Sequence, residues 1–160
     1  MTWRYGRLSP VDGGLKMQNQ PPVILIVDND LDMCCNMSDI LSDWDYEVET
    51  ALEGATALRM VRRRPYDIVL LDLRMPGTDG LTLSRQITRL RPETVAMLVT
   101  AYPTDMGPAE VRAAGLRRVI AKPVNIPRLL EQILEDLADR SVRRQRRTDH
   151  RRQLCVEIGV

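Results

Sequence analysis

The chain has 160 residues, of which 44% are hydrophobic and 28% charged, and its net charge is +1. This length and composition support one folded domain and exclude a disordered chain. No apolar stretch approaches the roughly 20 residues of a membrane span, and three cysteines without paired spacing predict neither a disulfide framework nor a zinc site. We therefore expect a cytoplasmic protein with no membrane partner.

The sequence divides into three parts. Residues 1–22 contain scattered Gly and Pro without periodicity, which predicts a flexible leader. Residues 23–140 carry the repeating apolar patterns of a folded domain. Residues 141–160 hold six Arg against two acidic residues, which predicts a basic tail that is solvated or extends the last helix. We do not expect this tail to bind nucleic acid.

The first half of the folded part alternates strands with helices. The continuous apolar run 23–27 predicts a strand buried on both faces, and residues 46–50 alternate as in a strand nearer the edge. Between them, apolar residues recur at helical spacing: Met33, Met37, Ile40, Leu41 and Trp44. The adjacent Cys34 and Cys35 fall in this helix and are interpreted as small packing residues. A short helix with Ala55, Leu58 and Val61 follows and should end near Arg64.

The second half repeats the alternation. Apolar runs at 68–71 and 95–99 predict two further strands, and residues 119–121 predict a brief fifth one. The turn-rich loop 74–80 leads into a helix marked by Leu83, Ile87 and Leu90. Proline and glycine weaken the helical pattern between Tyr102 and Gly115, so we expect a short helix there.

The last helix has the clearest boundary signals. Asn125 can cap it, Pro127 suits its first turn, and the apolar pattern runs to about Arg140. Strands that alternate with helices in this way predict an α/β fold with a doubly wound parallel sheet.

Polar side chains follow four of the predicted strands: Asp28, Asp72, Thr100 and Lys122. Ligands of open parallel sheets bind beyond the carboxyl ends of the strands, where these residues should meet. Taken singly, Asp28 can be a helix cap, Thr100 a packed β-branched residue and Lys122 a loop residue. Asp72 follows an apolar run and needs a partner or a metal ion. Together the four residues predict a site that handles a phosphoryl group.

Lys122 is the most informative of the four. The chain has 23 basic residues, yet Lys16 and Lys122 are its two lysines. A compact ammonium acts as a point charge on a phosphoryl group in a way that a guanidinium does not reproduce. We therefore expect a specific chemical role for Lys122.

The chemistry of these residue types is consistent with metal-assisted phosphoryl transfer. Mg²⁺ takes oxygen ligands, which Asp28, Asn29 and Asp72 can supply together with a backbone carbonyl. Attack of Asp72 on phosphorus would give an acyl phosphate. Lys122 and the Thr100 hydroxyl would then stabilise the phosphoryl oxygens.

These motifs, in this order, resemble the receiver domain of two-component response regulators. The resemblance covers residues 23–140 and is carried by segments 24–30, 67–80, 98–101 and 121–123. It implies a flavodoxin-like fold with five parallel strands in the order 2-1-3-4-5 and five helices. The protein would be a regulatory phospho-acceptor and not an enzyme.

The resemblance also implies a role for each site residue. Asp72 would accept a phosphoryl group from a sensor histidine kinase or a phosphotransfer protein. Asp28 and Asn29 match the acidic pair that positions Mg²⁺, and the backbone carbonyl of Arg74 matches a further ligand. Thr100 matches the switch hydroxyl and Lys122 the lysine of the family motif. A downstream protein target and a homodimer are further expected partners.

Two positions depart from the family pattern. Asn29 stands where the family usually has a second Asp, which predicts weaker Mg²⁺ binding and slower phosphorylation unless Asp30 compensates. Val119 stands where the family commonly has Tyr or Phe. Valine has no ring to swing between exposed and buried positions, so Tyr102 becomes the candidate for that role.

Two alternative functions stay open from the sequence. Residues 27–30 also resemble the motif of haloacid-dehalogenase-type phosphatases, with Asp28 as the nucleophile and Asp30 as the acid/base. That interpretation leaves Asp72 without a function. The other alternative is a degenerate receiver that takes no phosphoryl group and serves as a dimerisation module, which Asn29 and Val119 favour.

Overall fold

The computed structural model describes the backbone of residues 20–158 and the side chains of residues 20–143. The predicted leader therefore lies outside the described residues, apart from residues 20–22. The strands are β1 (Val23–Val27), β2 (Glu47–Ala51), β3 (Ile68–Asp72), β4 (Val95–Thr100) and β5 (Leu116–Ala121). The helices are α1 (Leu31–Ser42), α2 (Gly54–Arg63), α3 (Gly80–Leu90), α4 (Pro108–Ala113) and α5 (Ile126–Ile158).

The five strands form one parallel sheet in the order β2-β1-β3-β4-β5, which confirms the predicted fold. Successive side chains of a strand point to opposite faces. Accordingly Leu25 and Val27 join a core cluster with α2 and α3, whereas Ile24 and Ile26 join a second cluster with α1 and α5. Because helices cover both faces, the central strands are apolar throughout and not alternating.

Side-chain caps fix where three helices begin. Asp30 caps α1 by accepting the backbone N–H of Met33, so the cap is not Asp28. Asp79 caps α3 in the same way. The predicted cap of α5 is confirmed, since Asn125 Oδ1 accepts the N–H of Arg128 at 3.0 Å.

One local prediction was wrong in detail. Trp44 lies beyond the end of α1 and is 60% exposed, so it is not part of the apolar face of that helix. Helical spacing placed Trp44 in α1, but spacing alone does not show where a helix ends. The predicted helix with Ala55, Leu58 and Val61 is confirmed as α2, in which Ala55 is exposed and the buried residues are Gly54, Ala57 and Val61.

Two further details differ from the sequence prediction. Strand β5 begins at Leu116, three residues earlier than predicted, because it is an edge strand in which polar side chains interrupt the apolar pattern. Cys34 is buried as predicted, but Cys35 is exposed.

The last helix is longer than its apolar pattern. Four of its residues, Leu129, Leu130, Ile133 and Leu137, are buried against the sheet, and the helical backbone continues to Ile158. None of the described helices combines the length and the hydrophobicity needed to cross a bilayer.

Candidate functional site

The register of the sheet brings the four predicted strand ends to one edge. Val27 is level with Leu71, and Asp72 is level with Val99. The residues that follow Val27 and Val99 are Asp28 and Thr100, which therefore flank Asp72 at the carboxyl ends of their strands. Thr100 is in turn paired with Ala121, the residue before Lys122. Parallel strand pairing alone thus gathers the predicted site.

Lys122 joins the two carboxylates of the site. Its Nζ lies 2.7 Å from Asp28 Oδ2 and 3.0 Å from Asp72 Oδ1. The three side chains are largely withdrawn from solvent, with 24% of Lys122, 12% of Asp72 and 6% of Asp28 exposed. A partly buried ammonium between two carboxylates is a strong local charge arrangement because little water screens it.

The environment of Lys122 keeps it protonated. Burial alone would lower the pKa of its ammonium, but the hydrogen bonds to Asp28 and Asp72 outweigh burial and raise the pKa above its ordinary value. Lys122 therefore acts as a permanent positive charge at neutral pH.

Backbone amides hold the remaining carboxylate oxygens. Asp28 Oδ1 accepts the N–H of Asp30 at 2.9 Å, and Asp72 Oδ2 accepts the N–H of Arg74 at 3.0 Å. Each contact joins a residue to the second one after it, the turn that aspartate commonly forms at the end of a strand. The orientation of both carboxylates is thereby fixed by the chain that leaves their strands.

Thr100 is only 1% exposed. Its Oγ1 accepts the backbone N–H of Tyr102 at 3.0 Å, and its carbonyl accepts the N–H of Lys122 at 2.8 Å. A hydroxyl that accepts one hydrogen bond still has its own proton to donate. Thr100 can therefore donate to an oxygen at this edge of the sheet.

Asn29 lies beside the carboxylates but supplies no charge. Its side chain is exposed and lines an open depression of about 620 Å³ together with Leu73, Arg74 and Met75. The neighbouring Asp30 uses Oδ1 to cap α1. Among the residues that the structure describes, no three acidic, His or Cys side chains are grouped to bind a metal ion.

The donor set nevertheless suits Mg²⁺. Asp28 and Asp72 both reach the same ammonium, so their carboxylates lie close together, and carboxylate oxygens are ligands that a hard divalent cation prefers. The Asn29 amide oxygen and the Arg74 carbonyl can add neutral donors. The residues therefore fit the cation, with one negative charge fewer than a site with three carboxylates.

The sequence did not reveal the role of the Arg74 side chain. Its Cζ lies 4.0 Å from the centroid of the Tyr102 ring, and its Nη2 lies 3.2 Å from Asp105 Oδ2. Arg74 lies two positions after Asp72, and Tyr102 lies two positions after Thr100. This equal spacing was the one feature of the sequence that could have indicated a contact between the two side chains. The pair connects the loop after β3 with the loop after β4.

Val119 and Tyr102 lie in different environments. Val119 is partly buried and packs against the core cluster on the α2 and α3 side, whereas Tyr102 is 47% exposed. The aromatic ring nearest to Thr100 in sequence is therefore accessible at the surface beside the site.

Comparisons with known proteins agree with this geometry. A family model described as the response regulator receiver domain matches residues 24–134. The chain is 38% identical over 107 residues to a response regulator receiver protein of Anaeromyxobacter sp. (strain Fw109-5), covering 67% of this chain and 45% of that protein. It is 34% identical over 115 residues to the transcriptional regulatory protein ZraR of Salmonella typhimurium (strain LT2), covering 72% of this chain and 26% of that protein. It thus spans less than half the length of these relatives.

Solved structures give the same result. A CheY-like receiver domain protein from Methanospirillum hungatei JF-1 superposes with a TM-score of 0.74 at 31% identity, covering 78% of this chain and 99% of that one. The response regulator protein TrrA from Thermotoga maritima, solved in complex with Mg(2+)-BeF, gives a TM-score of 0.64 at 28% identity, covering 72% and 98%.

Proposed function

Because the chain belongs to the response regulator receiver domain family, we propose that it receives a phosphoryl group on Asp72 in two-component signalling. Receiver domains are regulatory phospho-acceptors. The observation that carries the proposal is the position of Lys122, whose Nζ lies within 3.0 Å of Asp72 and 2.7 Å of Asp28. This arrangement gives Asp72 a fixed orientation and a positive charge next to the place where phosphorus would bind.

The donor in this proposal is a phosphohistidine on a sensor histidine kinase or a phosphotransfer protein. A carboxylate oxygen of Asp72 attacks phosphorus, the P–N bond breaks as the O–P bond forms, and the histidine nitrogen takes up a proton. Lys122 then compensates negative charge on the phosphoryl oxygens, because its ammonium already contacts the attacking carboxylate.

Mg²⁺ would be held by Asp28, Asp72 and the backbone carbonyl of Arg74, with Asn29 as a neutral oxygen donor. When bound, the cation supplies positive charge to the phosphoryl oxygens. Receiver domains bind Mg²⁺ at the phosphorylation site, and the similar TrrA structure contains Mg(2+)-BeF. At this site the chain's own residues orient the acceptor carboxylate and exclude most of the surrounding water.

Thr100 and Tyr102 are proposed to report phosphorylation to the surface. A phosphoryl oxygen on Asp72 would attract the Thr100 hydroxyl, and the N–H of Tyr102 donates to that same hydroxyl. Movement of Thr100 would therefore shift Tyr102, which is 47% exposed and accessible to a downstream protein. We propose that the output is such a protein contact, made in the cytoplasm.

The test is phosphorylation by a small-molecule donor. The protein is incubated with Mg²⁺ and acetyl phosphate, and the intact mass is measured for the wild type, Asp72→Asn and Asp28→Asn. We expect a phosphoryl adduct that disappears in Asp72→Asn. Turnover that survives Asp72→Asn but not Asp28→Asn would favour the phosphatase alternative. The absence of an adduct from every sample would favour the degenerate receiver.

A further inference from the structure

The amino-terminal edge of the sheet carries opposite charges on its two sides. Helix α1 runs to this edge and is followed by Asp43-Trp44-Asp45, whereas α2 ends there with Arg62 and Arg63. The buried residues of α1 and α2 belong to separate core clusters, so the two helices cover opposite faces of the sheet. Both helices flank β2, which is an edge strand.

The end of α1 is acidic, and the sequence around it supplies no basic residue. No Lys, Arg or His occurs from Val23 to Leu58. Asp39 and Asp43 lie four residues apart at the C-terminal end of α1, where mutual repulsion and the helix dipole both disfavour negative charge. Neither residue has a salt-bridge partner within residues 20–143. Within these residues, the two charges form no ion pair that would stabilise the isolated molecule.

The α2 side is basic in the same unbalanced way. Arg59, Arg62 and Arg63 are exposed, and no acidic residue occurs within α2. Arg59 donates to Thr56, but in the part of the chain with described side chains none of the three arginines pairs with a carboxylate. Their spacing of three and four residues places them on one side of the helix, where like charges repel.

Trp44 provides an anchor between the acidic residues. It is 60% exposed and lies directly between Asp43 and Asp45. An exposed indole next to carboxylates binds a guanidinium by cation–π contact and ion pairing at once, and Trp and Arg dominate the binding energy of protein interfaces. The α1 end is therefore suited to arginine, the residue that the α2 end presents.

We propose that these two surfaces bind each other in a twofold-symmetric dimer of this chain, formed edge to edge along β2. A twofold axis parallel to β2 turns the sheet of the second copy over, so that its α2 face lies on the same side as the α1 face of the first copy. The strands keep their direction, so the amino-terminal edges of the two sheets lie side by side. It sets the acidic α1 end of one copy beside the basic α2 end of the other, and does so twice. A single head-to-tail contact would propagate into a fibre, whereas the closed dimer pairs both surfaces.

The edge strand itself is compatible with this contact. Arg64 pairs with Glu47 at 2.7 Å and with Glu49 at 2.9 Å, so one guanidinium offsets one of the two negative charges of β2 within one copy. Within the described side chains, Asp39, Asp43 and the three arginines of α2 have no such salt-bridge partner. The charged surfaces lie at the end of the sheet opposite to Asp72, and the dimer is tested in the unphosphorylated protein, separately from the proposed phosphorylation.

The test exchanges charges between the two surfaces in the full chain. One variant reverses the α1 end (Asp39→Arg with Asp43→Arg), and the other reverses the α2 end (Arg59→Glu with Arg62→Glu). Sedimentation equilibrium at low ionic strength should show a wild-type dimer that weakens as salt is added. For each variant alone, the dissociation constant of the dimer should rise at least about a hundredfold, because like charges then face each other twice.

Mixing the two variants should restore the dimer, since the reversed α1 end of one then faces the reversed α2 end of the other. Arg112→Glu on α4, which is far from β2, is the control variant and should dimerise as strongly as the wild type. Circular dichroism should show that each variant is folded. A wild-type monomer at low salt overturns the proposal. So does a dimer that tolerates both reversals, or a failure of the mixed variants to associate.

Discussion

The guanidinium of Arg74 lies over the ring of Tyr102, with Cζ 4.0 Å from the ring centroid. The backbone N–H groups of the same two residues donate to Asp72 and to Thr100. The proposed acceptor and the buried hydroxyl are therefore connected through one contact between two surface side chains.

Replacing Tyr102 should loosen the loop after β4. Tyr102→Leu removes the ring face and with it a cation–π contact worth about 0.5–1 kcal/mol at an exposed site. We expect amide hydrogen exchange of residues 101–107 to accelerate about two- to fivefold. Asp105→Asn, which removes only the exposed ion pair with Arg74, should have a smaller effect. Unchanged exchange in Tyr102→Leu would show that the contact does not hold the loop.

Gly80 is required by the close approach of α3 to the acceptor strand. A Cβ at this position would overlap the carbonyl oxygen of Asp72 and lie 2.9 Å from Leu98 Cδ1. Gly80→Ala should therefore lower the unfolding free energy by about 1–3 kcal/mol and slow phosphorylation by displacing Asp72.

The matched control for Gly80 is Gly107→Ala. A Cβ at Gly107 would meet nothing within 4 Å, and its φ of −82° suits any residue. Urea denaturation should show little change for this variant. Equal stability of the two alanine variants would contradict the packing argument.

Asp136 should make the stability of the domain sensitive to acid. Its side chain is 1% exposed and accepts hydrogen bonds from Arg117 and Arg118. Burial alone would raise the pKa of this carboxyl, but the two arginines outweigh burial and hold the pKa below its ordinary value. The stabilisation is thus complete above the unfolded pKa of about 3.9 and is lost as pH falls through the lower folded pKa.

Asp136→Asn should lower the unfolding free energy at pH 7 by about 2 kcal/mol, because two arginines lose a charged acceptor. Urea denaturation measured from pH 7 downward should show the wild type and the variant converging in strong acid. Asp139→Asn removes an exposed carboxylate from the same cluster and should cost at most about 1 kcal/mol. A constant difference at all pH values would refute the titration of Asp136.

Asn29→Asp should strengthen Mg²⁺ binding. The added carboxylate places a further negative charge beside Asp28 and Asp72, worth at least about 1 kcal/mol toward a cation. The Mg²⁺ concentration for half-maximal phosphorylation by acetyl phosphate should fall about fivefold or more. Asn36→Asp, on an exposed position further along α1, serves as the control. An unchanged Mg²⁺ requirement in Asn29→Asp would refute the charge argument.

The sequence predicted the strands and their ends because buried parallel strands are read directly from apolar runs. Asp28, Asp72 and Lys122 were found this way, since the parallel register carries each strand end to the same edge. Contacts between loops were not predictable, because the position of Arg74 over Tyr102 depends on how two turns approach each other in space. Trp44 was misplaced for a related reason: periodicity does not show where a helix ends.

Lys122 is one ammonium serving two carboxylates. The resting site therefore holds one negative charge in excess, and a phosphoryl dianion on Asp72 would raise that excess to two in surroundings that solvent screens poorly. Such repulsion raises the free energy of the phosphorylated state unless further positive charge is supplied. The positive charge around Asp72 would then set how much of the protein is phosphorylated at equilibrium with its phosphoryl donor.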